Sequence, residues 1–132
     1  MIIGYDAKRA FNNPTGLGNY SRMLISSMQT HHPEHRYQLY TPKIGRDFES
    51  FASQLKITAN TEIHLPEKAA HRFFKAYWRS VGVRGAISKQ KLDIFHGLSH
   101  ELPRNISSPT TNQVVTIHDL INLRFPEFYP RI

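Results

Sequence analysis

The sequence predicts an α/β protein built on a parallel sheet, and three observations lead there. Short apolar, β-branched runs alternate with stretches of helical period. The first run, "MIIGYD", passes through a glycine-containing loop, "FNNPTGLGNY", into a helical pattern. Two later runs, "DIFHG" and "QVVTIHD", are again short, apolar and closed by polar residues.

Ile2 to Asp6 is the first strand, too short for a helix and ended by an acid. From Leu17 the period changes: Leu17, Tyr20, Met23, Leu24 and Met28 fall on one helical face, with Asn19, Arg22 and Gln29 elsewhere on the wheel. The helix is expected from about Gly16 to His31, stopped by Pro33. Arg36 to Pro42 alternates as a second strand. "RDFESFASQL" predicts a short helix with Phe48, Phe51 and Leu55 on one side. Thr61 to Pro66 is the third strand, and a helix over Ala69 to Val81 continues, punctuated by glycine, to Lys91. Asp93 to Gly97 and Gln113 to Asp119 complete five strands, joined by helices as right-handed crossovers.

Composition narrows the function. The chain has 132 residues, 39% apolar, with eight Phe and six Tyr, enough for one small domain with a core. No apolar run approaches the ~20 residues of a membrane span, and Asp6 interrupts the N-terminal run too early for a signal peptide. The absence of cysteine excludes disulfides, thiolate metal sites and cysteine catalysis, and suits a cytoplasmic protein. The formal charge of +7 asks for an acidic partner.

In an open parallel sheet, ligands bind beyond the carboxyl ends of the strands. Three loops lie there: Ala7 to Gly18, Gly97 to Ser108, and His118 to Phe125. They converge if strands one, four and five are neighbours. The first fails as a dinucleotide fingerprint, because Ser21 stands where the third glycine of G-x-G-x-x-G belongs and the turn is long. Gly16 and Gly18 can bring helix N-terminal amides close to an anion, or simply permit the bend with Thr15 as cap.

The second loop gathers His96, His100 and Glu101. A spacing of four joins two metal ligands on a helix, but Gly97 after a strand argues against one. A hydrogen-bonding wall for a polar substrate fits better, beside the plainer reading of a structural histidine. His118 and Asp119 close the fifth strand; the histidine is either a hydrogen-bond donor or acid/base group, or a strand cap. Neither a Walker loop nor a G-x-S-x-G elbow is present. His71 to Lys91 carries six basic residues and no acid. Its basic stripe, Arg72, Lys75 and Arg79, is a solvated helix face or a surface for anionic lipid headgroups. Nucleic acid is disfavoured, since the aromatics form one stripe and not a spread of stacking platforms.

Three segments together, "IGYDAKRAFNNPTGLGNYSRML", "LDIFHGLSHELP" and "VVTIHDLINLRFPEFYP", resemble the N-terminal domain of retaining, family-four GT-B glycosyltransferases of the mannosyltransferase-like group. The resemblance implies a Rossmann-like, acceptor-side domain facing a C-terminal domain that holds the nucleotide sugar. It implies transfer of a hexose, mannose being the nearest guess, to a glycan or lipid-linked acceptor. Gly16 and Gly18 would approach the donor diphosphate. His118 would lie beside the transferred sugar as the catalytic residue, and His100, Glu101 and Asp119 would face the acceptor. No metal or other cofactor is expected. Arg72, Lys75 and Arg79 would dock peripherally on the inner face of a membrane.

The donor-binding domain is not among these residues. The 132-residue chain alone is therefore expected to be inactive, with the glycine loop free to reach across an interdomain cleft. Strand five becomes a sheet edge through which copies are expected to associate. The rival reading is a non-catalytic basic module that docks on membrane or nucleic acid.

Overall fold

The computed structural model describes residues 1–66, 83–103, 106 and 111–128. Five strands, β1 (Ile2–Asp6), β2 (Arg36–Tyr40), β3 (Thr61–His64), β4 (Ile94–Gly97) and β5 (Asn112–Val115), form one sheet in the order β3-β2-β1-β4-β5. Every pairing is parallel, with Ile3 opposite Tyr37 and Ile94, and Asp6 opposite Tyr40 and Gly97. The chain thus has a Rossmann-like α/β fold. It grows in one direction from β1 through β2 and β3, then restarts on the other side with β4 and β5. This reversal opens a crevice at the carboxyl ends of β1 and β4.

The helices among the described residues are α1 (Lys8–Asn12), α2 (Gly16–His31), α3 (Val83–Gln90) and α4 (Ile121–Arg124). Alternation along the strands sends side chains to both faces of the sheet. Ile3, Tyr5, Tyr37 and Leu39 pack with Phe11 and Ile25 beneath α1 and α2. Tyr40 and Phe95 turn the other way and pack with Val83 and Ile87 of α3. A sheet covered on both faces explains why Ile3, Gly4 and Tyr5 are all buried in sequence.

The helix over Ala69 to Val81, and with it Arg72, Lys75 and Arg79, lies outside the described residues; its continuation is α3. The expected helix in "RDFESFASQL" is instead two 3-10 turns, Phe48–Ser50 and Ala52–Gln54. Its apolar trio does turn inward: Phe48 stacks against Phe11 at 5.0 Å, and Phe51 and Leu55 are buried. Strand five stops at Val115, so Thr116 to Leu120 are irregular and His118 and Asp119 lie beyond the strand. It is the outermost strand of the sheet, and its residues are exposed.

Two further expectations are corrected at α2. The first loop is not long and open, because α1 occupies its first half. Asn12 Nδ2 donates to Lys8 O and Lys43 O, each at 2.9 Å. Asn13 Oδ1 accepts from Thr15 N and Thr15 Oγ1, each at 2.7 Å. Thr15 holds the N-cap position, but its hydroxyl is used in this turn and does not cap α2.

The buried face of α2 is also rotated from the predicted one. Met23 is 63% exposed, whereas Arg22, off the predicted apolar face, is fully buried together with Ser21, Ile25 and Gln29. Leu24 and Met28 lie at the margin of that face, packed on the core from the side. Burial of a cation requires compensating hydrogen bonds, and each of the three Arg22 side-chain nitrogens makes at least one. Nη1 donates to Ala10 O (3.0 Å) and Asn13 O (2.8 Å). Nε donates to Gln54 Oε1 (2.9 Å) and Nη2 to Asn19 Oδ1 (2.5 Å). The guanidinium carbon also stands 4.3 Å from the centre of the Phe51 ring. Burial lowers the Arg22 pKa from its usual value, yet an arginine remains charged at any physiological pH.

Gly18 completes this packing, because a Cβ there would overlap the carbonyl oxygen of Asn13. Arg22→Ala is expected to destabilise the fold by about 3 kcal/mol, since it strands buried acceptors. Arg22→Lys should recover little of this, because one ammonium cannot span four diverging oxygens. Gly18→Ala should cost about 2 kcal/mol through overpacking against backbone. Urea unfolding of the three variants checks these values.

Candidate functional site

Strand β4 ends with His96 and Gly97, and the chain then folds back on itself. A Cβ at Gly97 would collide with the carbonyl oxygen of Glu101, so only glycine permits this return. His100 takes the left-handed conformation at φ 60°, uncommon for a residue with a side chain. Backbone strain of this kind concentrates at functional loops. His100 N donates to Thr116 O (3.0 Å), and Thr116 N donates to Gly97 O (2.9 Å), which ties this turn to the segment leaving β5.

Thr116 is the hub of the site. Its Oγ1 lies 2.8 Å from His96 Nε2 and 3.2 Å from the Tyr20 hydroxyl. One hydroxyl therefore joins β4, α2 and the chain after β5. Burial pushes the His96 pKa below that of a free histidine, so the ring is neutral at pH 7.

His118 sits over this hub, half-buried. Its Nε2 is 2.8 Å from Leu98 O. A carbonyl can only accept, so Nε2 carries the proton and, in the neutral ring, Nδ1 keeps the lone pair. Tyr20 meets the His118 ring edge-to-face at 4.9 Å, and the His100 ring is 5.3 Å away. The His118 backbone N–H also points to His100 Nε2, at 3.4 Å. Orientation, tautomer and neighbours of His118 are thus all set by the protein.

Gly16 begins α2, one helical turn before Tyr20, or about 6 Å along the axis. The two glycines separate here. Gly18 is required by packing, whereas among the described residues nothing outside Gly16's chain neighbours and its own helical turn lies within 4 Å of where a Gly16 Cβ would stand. The first turn of α2 contains no acid, so its positive end is not offset by a side chain of its own. Asp119 Oδ1 accepts from Ile121 N (3.2 Å) at the start of α4. Glu101 is exposed in the same turn as His100.

The structure therefore brings His118 and His100 together against Tyr20 of α2, the helix that Gly16 begins. Tyr20 and Thr116 were missed from the sequence. A tyrosine at a helical apolar position and a threonine inside an apolar run carry no local sign that they meet across 96 residues. The described residues that converge as a possible metal-ligand group are not these histidines but His32, Glu34 and His35, at the far end of α2.

The lowered His96 pKa has a consequence for stability. Between that value and the 6.5 of a free histidine, the unfolded chain binds a proton that the folded chain refuses. Stability should therefore be lost as pH falls below 6.5 towards the folded value, and His96→Asn should flatten this part of the profile. Urea midpoints from pH 5 to 7.5 provide the check.

Comparison with known proteins returns no match: no family model, no curated protein and no solved structure is significantly similar to this chain.

Proposed function

We propose that the chain is the acceptor-side domain of a retaining, GT-B-type glycosyltransferase that moves a hexose, mannose being the nearest guess, from a nucleotide sugar to a glycan or lipid-linked acceptor. The observation that carries this reading is His118, anchored by Leu98 O beyond β4 and β5 and set edge-to-face against Tyr20 of α2, the helix that Gly16 begins. The motif resemblance supports it from the sequence side.

On this reading the donor diphosphate approaches the start of α2 at Gly16, where the open space admits it and the helix dipole favours it. Gly18 contributes by shaping that helix start. His118 offers Nδ1 to a hydroxyl of the transferred sugar, while Leu98 O holds the opposite side of the ring. Positive charge then develops at the sugar carbon and negative charge on the leaving diphosphate. The helix end stabilises the latter, and the polarised hydroxyl beside His118 helps the former. His100, Glu101 and Asp119 face the acceptor. Retention follows if donor and acceptor meet on the same face of the sugar, which a cleft closed by a second domain would enforce. The membrane contact assigned to Arg72, Lys75 and Arg79 is an extension of this reading, and those residues lie outside the described ones.

In the enzyme that joins this domain to its donor-binding half, His118→Ala should lower kcat about 10²-fold, as for loss of one pre-set transition-state hydrogen bond. Its melting temperature should move little. Gly16→Ala should raise the donor KM about tenfold, equivalent to about 1.4 kcal/mol, again without loss of stability. Near-normal transfer by both variants would refute the assigned roles.

A further inference from the structure

The segment between α2 and β2, "THHPEHR", lies at the amino-terminal edge of the sheet. It is about 20 Å along α2 from the start of that helix, and nothing in the proposed transfer reaction uses it. Its backbone is well braced. His32 N donates to Met28 O (2.8 Å), and His35 N donates to His32 O (3.2 Å), closing a turn around Pro33. The Tyr37 hydroxyl reaches from the core to within 2.8 Å of Met28 O and 2.7 Å of His32 O. Asn60 Nδ2 donates to Pro33 O (2.6 Å).

On this turn three side chains converge. Glu34 Oε1 lies 3.4 Å from His32 Nδ1 and 3.3 Å from His35 Nδ1. The three ligand atoms all fall within 4.8 Å of one another, and the two imidazoles stack at 5.5 Å with 12° between their planes. A tetrahedral zinc ion with bonds of about 2.0–2.1 Å keeps its ligand atoms roughly 3.3–3.4 Å apart. Two of the three separations in the turn already have that length. The third, between the imidazole nitrogens, is within 4.8 Å, and the exposed His32 side chain has room to adjust.

We propose that His32, Glu34 and His35 form a binding site for a zinc-type divalent cation, with water completing the coordination. Two imidazoles and one carboxylate select a borderline-soft ion such as Zn²⁺ over Ca²⁺ or Mg²⁺, which prefer an all-oxygen shell. The Met1 ammonium donates to His35 Nδ1 at 3.4 Å, a long hydrogen bond that a cation at this nitrogen would replace. A bound ion would clip the end of α2 to the start of β2 and so fasten the first βαβ unit at the end opposite the candidate active site.

Isothermal titration of the 132-residue chain with zinc chloride alone, in a non-chelating buffer at pH 7.5, tests this. One equivalent should bind with Kd on the order of 10 μM, weaker than four-ligand structural sites. His32→Ala/His35→Ala should weaken binding at least tenfold with an unchanged circular dichroism melt, and Glu34→Gln should weaken it several-fold. His100→Ala/His118→Ala should bind as the parent does. Binding that survives the first double substitution, binding lost in the second, or no heat up to millimolar zinc would overturn the assignment.

Discussion

The guanidinium of Arg22, buried without an acid among the described residues, holds the carbonyls of Ala10 and Asn13 against α2 while it also engages Gln54 and lies against Phe51. Those contacts join four pieces of chain that no regular backbone ladder connects: α1, the turn into α2, α2 itself and the 3-10 turns. A neutral side chain could fill the volume but could not satisfy carbonyls that converge from several directions. The start of α2 is therefore fixed relative to β1. Gly18 is part of the same arrangement, since any larger residue would push the Asn13 carbonyl away from its donor.

With the helix start fixed, the crevice at the strand reversal acquires a definite wall. Tyr20 leans from α2 onto Thr116 and His118, which belong to the chain after β5, while Gly97 and His100 bend the chain after β4 towards the same point. The site is thus assembled from three segments that depend on one another through single atoms: the Thr116 hydroxyl and the Leu98 carbonyl. Rigidity of this kind would serve the contact proposed between His118 and a sugar hydroxyl, because a rotating imidazole would lose the geometric advantage.

Much of this was legible in the sequence, and the exceptions have identifiable causes. The five strands declared themselves as short apolar or alternating runs, and the convergence of the loops after strands one, four and five rested on the usual strand order, which the sheet has. Boundaries at β2 and β3 overran to Pro42 and Pro66, where proline has no N–H to continue a ladder. Strand five is expected through to Asp119 because the apolar run "VVTI" continues to the polar pair His118 and Asp119, yet the chain leaves the sheet at Thr116, whose side chain is taken by His96. Arg22 was left off the packed face because a cation adds nothing to an apolar stripe, and no local pattern reveals that backbone carbonyls twelve and nine residues away await it. Of the candidate site, His118, His100 and Gly16 were found as strand-end and helix-start residues. Tyr20 and Thr116 were not, because their roles exist only through tertiary contact.

The central claim is that this crevice works on a transferred sugar between a helix end and His118. The most direct test is a proton NMR assay of the native polypeptide containing this domain, run against a panel of nucleotide sugars with glycan and lipid-linked acceptors. The account predicts transfer from one donor with the anomeric configuration of the sugar preserved in the product. Inversion of that configuration, or no transfer from any donor in the panel, would contradict it.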